Sequence, residues 1–153
     1  MPRCPLKSIA LLVGVALLAR IASARSTIVI GDAWSRPAID TGVVYLTIAN
    51  HGNRSDRLEG ATASVARAVE MHESMEAPSA MQGGMPGGIA SMQPVAFVFI
   101  KAHASAHFRP GGYHFMLVGL KHELHVNETF PLRLHFARAG WLVVRVRVRS
   151  LDS

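Results

Sequence analysis

Cysteine is almost absent from this chain of 153 residues, and Cys4 is the only one. A single cysteine cannot form an intramolecular disulfide. Cys4 also lies in a segment that we expect to be removed, so the working protein should offer no thiolate at all. A metal site in this protein would have to use histidine, methionine or carboxylate ligands.

The patterns that mark common catalytic sites are also missing. The sequence has no Gly-x-Ser-x-Gly motif and no carboxylate pair with the spacing of an acid–base couple. The glycine-rich stretch at 83–88 has no lysine after it and no strand-to-helix context, so it does not predict a phosphate-binding loop. These absences favour a binding protein over an enzyme.

The longest uncharged apolar run, residues 9–19, is too short to span a bilayer, which takes about 20 residues. It follows a basic start and precedes the small residues 22–24, which is the layout of a secretory signal peptide. Cys4 comes before this run and not at its end, which argues against lipid modification. We therefore predict a signal peptide at 1–24, a periplasmic or secreted protein, and no integral membrane protein after processing.

Removal of the leader changes the charge of the protein. The formal net charge of +6 would fall to +3, because the leader contains Arg3, Lys7 and Arg20 and no acidic residue. The sequence pI of about 10.4 therefore overstates the basicity of the mature chain. We predict that it does not bind nucleic acid.

The remaining residues, 25–153, read as one all-β domain. Residues 43–49 are rich in β-branched and aromatic side chains, and residues 132–148 alternate between apolar and polar around a turn at 139–140. Residues 64–75 fit either a strand or a short helix. Several short strands separated by turn signals predict a single antiparallel β-sandwich. A Met/Gly-rich loop is expected near 76–91.

A strand with an unusual outer face follows the turn signal at 110–112. His114 and Met116 are two positions apart, so both point to the same side of the strand. A second histidine, His72, lies in the sequence Met-His-Glu-Ser-Met, and Met92 follows the glycine-rich loop. Imidazoles and thioethers without a thiolate suit a soft metal ion, most naturally Cu(I).

These residues resemble the periplasmic copper chaperones of the PCu(A)C family. That family has a histidine, a methionine about eleven positions later, then twenty-one residues and His-x-Met. Here twenty-one residues separate Met92 from His114-Phe115-Met116, and the context of His72, AVEMHESM, is similar to the family's VELHE stretch. The resemblance extends over most of the mature chain, with landmarks DAWSRP, VVYLTIANHG, DRLEGA, PGGYHFMLVGL and PLRLHFARAG.

The resemblance implies a cupredoxin-like sandwich that binds copper through His72, Met92, His114 and Met116. Their role would be to bind and release the ion, not to catalyse a reaction. The resemblance also implies partners: a copper-accepting oxidase subunit, at the dinuclear copper centre of cytochrome c oxidase, or a thiol-bearing assembly factor.

One departure from the family concerns the loop. Nineteen residues separate His72 from Met92, where the family usually has about ten. Loop closure entropy grows slowly with length, so the two side chains can still meet. The longer segment adds Met81 and Met85, and Met75 is nearby. Whether any of these three methionines binds metal is left open.

Alternative functions follow from the same residues. A copper storage, tolerance or uptake protein would use the same site without an oxidase partner. A blue-copper electron carrier would need a cysteine ligand, which the mature chain lacks. A structural sandwich with incidental methionines would bind no copper. Five further histidines, at 51, 103, 107, 122 and 125, are expected to face solvent, with a weak secondary Cu(II) site as the alternative.

Overall fold

The computed structural model describes residues 27–75 and 91–150, and this part of the chain contains ten strands and no helix. The predicted signal peptide and most of the predicted Met/Gly-rich loop lie outside the described residues. The strands are β1 (Ile28–Ser35), β2 (Thr41–Asn50), β3 (Asp56–Ala63), β4 (Ala66–Met75), β5 (Ser91–Pro94), β6 (Val98–Ile100), β7 (Ala104–Phe108), β8 (Tyr113–Leu120), β9 (Thr129–Phe136) and β10 (Gly140–Val148). Among these residues no helix is long and apolar enough to cross a bilayer.

The ten strands form one curled sheet in the order β5-β4-β8-β7-β2-β1-β10-β9-β3-β6, and β8 also pairs with β2. Most neighbours are antiparallel; β1 and β10 are parallel, as is the single pair between β7 and β8. Curling brings β3 against β4, so the sheet packs upon itself around one core. The prediction of an all-β sandwich is confirmed.

The core consists of the inward positions of the alternating strands. Leu132, Leu134 and Phe136 of β9 are fully buried, while Arg133 between them is exposed. Burial of each such apolar side chain contributes about 1.5–3 kcal/mol to stability. Phe115 of β8 is also fully buried and stacks on a neighbouring phenylalanine of β7, with ring centroids 4.6 Å apart. Because Phe115 faces the core, the residues on either side of it face outward.

Three segments differ from or refine the sequence prediction. The ambiguous segment 64–75 is a turn at 64–65 followed by strand β4, which pairs with β8 from Ala66 to Glu73. The segment 94–100 is divided between the end of β5 and β6. Strand β7 has little β-branched character and is not predicted by its residue types. It forms because β2 supplies an antiparallel partner over five residue pairs.

Candidate metal centre

Strand pairing brings the two predicted histidines together. In the antiparallel register of β4 and β8, His72 lies directly opposite His114, and Glu70 lies opposite Met116. The imidazole rings are stacked, with centroids 5.9 Å apart and an interplanar angle of 29°. Side chains of directly paired residues share one face of a sheet. Both histidines and Met116 therefore lie on the same, outward face.

The remaining predicted residue reaches this face from the edge strand. Met92 of β5 lies opposite Ser74 of β4, and Ser74 is two positions after His72. Two positions along a strand keep the same face, so Met92 is a diagonal neighbour of His72. The structure thus places all four predicted residues, from three adjacent strands, on one side of the sheet.

A cavity of about 220 Å³ opens on this face. Three of the four predicted residues, Met92, His114 and Met116, line it, together with Ser74 and residues of β2 and the 110–111 turn. His72 does not line this cavity; its ring lies beside that of His114. The side chain of Met92 is 60% exposed, whereas Met116 is half-buried. The cavity is therefore open to solvent on the side of Met92.

His114 is held in a defined orientation. It is buried, and its Nδ1 donates a hydrogen bond of 3.0 Å to the carbonyl oxygen of Gly112. The turn that presents this carbonyl is closed by a bond from the Gly112 N–H to the Arg109 carbonyl, and Gly111 adopts a φ of 78°. Glycine reaches this left-handed conformation without steric cost. Because Nδ1 carries the proton, Nε2 of His114 keeps a lone pair for a ligand.

The imidazole of His72 is oriented by a hydrogen bond at Nε2, whereas that of His114 is oriented at Nδ1. The Nε2 atom of His72 lies 3.0 Å from Oε2 of Glu70, two residues earlier on β4. Its Nδ1 is buried and has no hydrogen-bond partner among the described residues. A buried polar atom without a partner costs about 1–3 kcal/mol. A metal ion at Nδ1 would remove this cost, so the donor set fits a bound cation.

A second carboxylate of β4 lies on the opposite face. Glu73 pairs with Tyr113, and burial raises the pKa of the Tyr113 phenol, with the charge of Glu73 and its hydrogen bond raising it further. The two carboxylates at 70 and 73 flank His72 along the strand. Of the two, only Glu70 shares the face of His72, and its charge favours a cation there over an anion.

The five histidines expected to face solvent, at 51, 103, 107, 122 and 125, are all exposed, and the sixth, His135, is half-buried. The Nε2 atom of His122 lies 2.8 Å from Glu128, whose carboxyl pKa is lowered mainly by this hydrogen bond. The Nε2 atom of His103 lies 2.8 Å from Oδ1 of Asn53. Among the residues described, no group of three or more His, Cys, Asp or Glu side chains is placed to hold a metal ion.

Met75, one of the methionines left open, is three residues from His72 and pairs with Ser91. Strand alternation puts it on the face opposite to His72 and Ser74. Met81 and Met85 lie outside the described residues. Sequence reasoning missed Glu70, although a carboxylate two positions before a candidate ligand on a strand is a signal that could have found it.

The chain is similar to proteins of known family and fold. Residues 28–148 match the family model described as "Putative lipoprotein LpqE-like". A relative from Leifsonia xyli subsp. xyli, named "Putative lipoprotein Lxx21020", is 29% identical over 107 residues, which are 69% of this chain and 59% of that protein. The chain spans about three fifths of the length of the curated relatives it matches.

Two solved structures have a similar fold. The copper-bound PCuAC domain from PmoF2 superimposes with a TM-score of 0.64 at 21% identity, covering 81% of this chain and 93% of that domain. The solution structure of CuI-DR1885 from Deinococcus radiodurans gives a TM-score of 0.58 at 27% identity, covering 86% of this chain and 85% of that one. The cupredoxin-like sandwich expected from the motifs is therefore confirmed. The chain belongs to the LpqE-like family, and its resemblance to the PCu(A)C copper chaperones is confirmed.

Proposed function

We propose that this protein is a copper chaperone that binds one Cu(I) ion through His72, Met92, His114 and Met116 and passes it to an acceptor. The observation that supports this most is the register of β4 and β8, which pairs the two histidines and sets Met116 beside them. Met92 lines the same cavity from the edge strand. The two similar structures are of copper-bound proteins, in one case with CuI.

The donor set suits transport in an oxidising compartment. A thioether is not ionised at any pH and cannot be oxidised to a disulfide, unlike a thiol. Neutral sulfur and nitrogen donors favour Cu(I) over harder ions such as Mg²⁺ or Ca²⁺. Because Met92 is largely exposed, an acceptor with stronger ligands could replace it first and draw the ion out. The protein would then act as a carrier and not as an enzyme.

The proposal also includes a location for the protein and an acceptor for the copper ion. Cleavage after residue 24 would release the protein into the periplasm or the medium. The family description and the name of the Leifsonia relative both refer to lipoproteins, which also belong to the cell envelope. In this sequence the only cysteine precedes the apolar run. The proposed acceptor is the dinuclear copper site of cytochrome c oxidase, or a thiol-bearing factor that assembles it.

An anaerobic titration with Cu(I) in competition with a chromogenic chelator tests the proposed site. The wild type should withdraw one equivalent of Cu(I) from the chelator. A variant with His114→Ala and Met116→Ala should withdraw none under the same conditions. A control with His122→Ala and Met75→Ala loses the same residue types elsewhere and should behave like the wild type.

His114 is buried, so its removal could weaken the fold. Met116→Leu therefore serves as a second variant, because leucine keeps the volume of the side chain and removes only the thioether. It should weaken Cu(I) binding at unchanged thermal stability. Equal Cu(I) uptake by the wild type and both site variants would reject the proposal.

A further inference from the structure

We infer that Glu70 is a positioning residue that makes His72 bind the ion through Nδ1, whereas His114 binds through Nε2. The inference rests on the proposed function, because it concerns the same Cu(I) ion. It goes further by assigning a ligand atom to each histidine and a role to a carboxylate that is not itself a ligand.

The hydrogen-bond partners of the two imidazoles decide their tautomers. The partner of His72 Nε2 is a carboxylate oxygen of Glu70, and the partner of His114 Nδ1 is the Gly112 carbonyl oxygen. Carboxylate and carbonyl oxygens can only accept. The proton must therefore be on Nε2 of His72 and on Nδ1 of His114. In the neutral rings, the lone pairs are on the opposite nitrogens.

Burial supports the same assignment. Nδ1 of His72 is buried without a partner among the residues that the structure describes. The lone pair of this nitrogen lies in the plane of the imidazole, so it is available to an ion at the edge of the ring. If His72 bound copper through Nε2 instead, the ion would have to displace Glu70 and would leave Nδ1 still without a partner.

The position of Glu70 is fixed by the sheet. It is two residues before His72 on β4, on the same face, and it lies opposite Met116 on β8. Its side chain is 52% exposed while that of His72 is 13% exposed, so the carboxylate covers the solvent side of the imidazole. A carboxylate that accepts from the distal N–H of a ligating histidine fixes the ring and raises its basicity as a ligand.

The first test reads the tautomers without copper. Long-range ¹H–¹⁵N correlation spectra of the metal-free protein, with His72 signals identified from a His72→Asn variant, should show the proton of His72 on Nε2 and that of His114 on Nδ1. On anaerobic addition of Cu(I), the nitrogen that shifts should be Nδ1 in His72 and Nε2 in His114. A proton on Nδ1 of His72, or a copper shift at its Nε2, would overturn the inference while leaving the proposed function intact.

The second test measures affinity. Glu70→Ala should weaken Cu(I) binding by about 10–100-fold, as is typical when a partner of a metal-bound histidine is lost. Glu70→Gln, whose amide oxygen can still accept from Nε2, should recover much of this loss. Glu73→Ala is the matched control, because it removes a charge from the same strand on the opposite face, and it should bind nearly as the wild type does.

The outcomes separate the alternatives. Unchanged Cu(I) binding by Glu70→Ala would overturn the positioning role. Tighter Cu(I) binding would also overturn it, because it would show that Glu70 holds His72 away from the ion. Equal losses in Glu70→Ala and Glu73→Ala would also overturn it, since general electrostatics would then be responsible. Failure of the wild type to take up Cu(I) would reject the proposed function and this inference together.

Discussion

Single side chains differ in what they contribute to the proposed site. His114 is buried and fixed by a backbone carbonyl, so it is a rigid donor. Met92 is exposed on a short edge strand, so it is the donor that a partner can reach. This division suits a carrier, because one part of the site retains the ion while another part admits the acceptor.

A comparison of Met92 with Met75 tests the role proposed for Met92. Met92 and Met75 belong to the same β4–β5 pair and have similar exposure, 60% and 49%, but they lie on opposite faces. Met92→Leu should weaken Cu(I) binding by about tenfold or more, since a soft ligand is lost. Met75→Leu should leave it unchanged. Chelator competition measures both, and an equal effect of the two substitutions would contradict the placement of Met92.

Elements other than the site strands provide the rigid support. The β9–β10 hairpin turns at Gly140, which has a φ of 73°. The carboxylate of Asp56, at the start of β3, accepts hydrogen bonds of 2.9 Å from the N–H groups of Arg138 and Ala139 in this turn. The turn is therefore tied to the next strand of the sheet as well as closed locally.

Glycine substitutions test this turn. Gly140→Ala places a side chain in the left-handed region, which costs roughly 1–2 kcal/mol. It should lower Tm by on the order of 5 °C. Gly60→Ala is the control: a Cβ there would also meet nothing within 4 Å, but its φ is not positive, so Tm should stay within about 2 °C. Thermal unfolding followed by circular dichroism checks both, and an equal loss in the two variants would contradict the explanation from φ.

A second test shortens the connection between β4 and β5. Deletion of residues 79–87 removes Met81 and Met85 and restores a spacing of about ten residues between His72 and Met92. The free energy of loop closure changes by less than about 1 kcal/mol for such a change in length. The shortened protein should still bind one Cu(I) with similar affinity. A loss of stoichiometry or affinity would show that the added methionines belong to the site.

Much of the fold could be predicted from the sequence, because β9 and β10 alternate strictly and the turns at 110–112 and 139–140 carry strong signals. The pairing of β4 with β8 could not, because strand order depends on contacts between residues distant in sequence. Individual residues of the candidate site were predicted from spacing and resemblance. The role of Glu70 depends on side-chain orientation, which a sequence pattern does not determine. The same is true of Nδ1 of His72, which has no hydrogen-bond partner among the described residues.

The molecule as a whole presents its candidate site at one edge of a curled sheet. The edge strand β5 is only four residues long and its side chains are all exposed, so a second protein can approach the cavity there. If the acceptor is the oxidase, deletion of the gene should lower cytochrome c oxidase activity in cells grown at limiting copper, and added copper should restore it. Unchanged oxidase activity would favour storage, tolerance or uptake instead.

The proposed site consists of two imidazoles and two thioethers that enclose one cuprous ion. X-ray absorption at the copper edge of the anaerobically loaded protein tests it directly, because nitrogen and sulfur scatterers are distinguished by distance and amplitude. We expect a Cu(I) edge with two nitrogen and two sulfur donors in the wild type, and the loss of one sulfur in Met92→Leu. A spectrum without sulfur donors, or one that is the same in both proteins, would contradict the account.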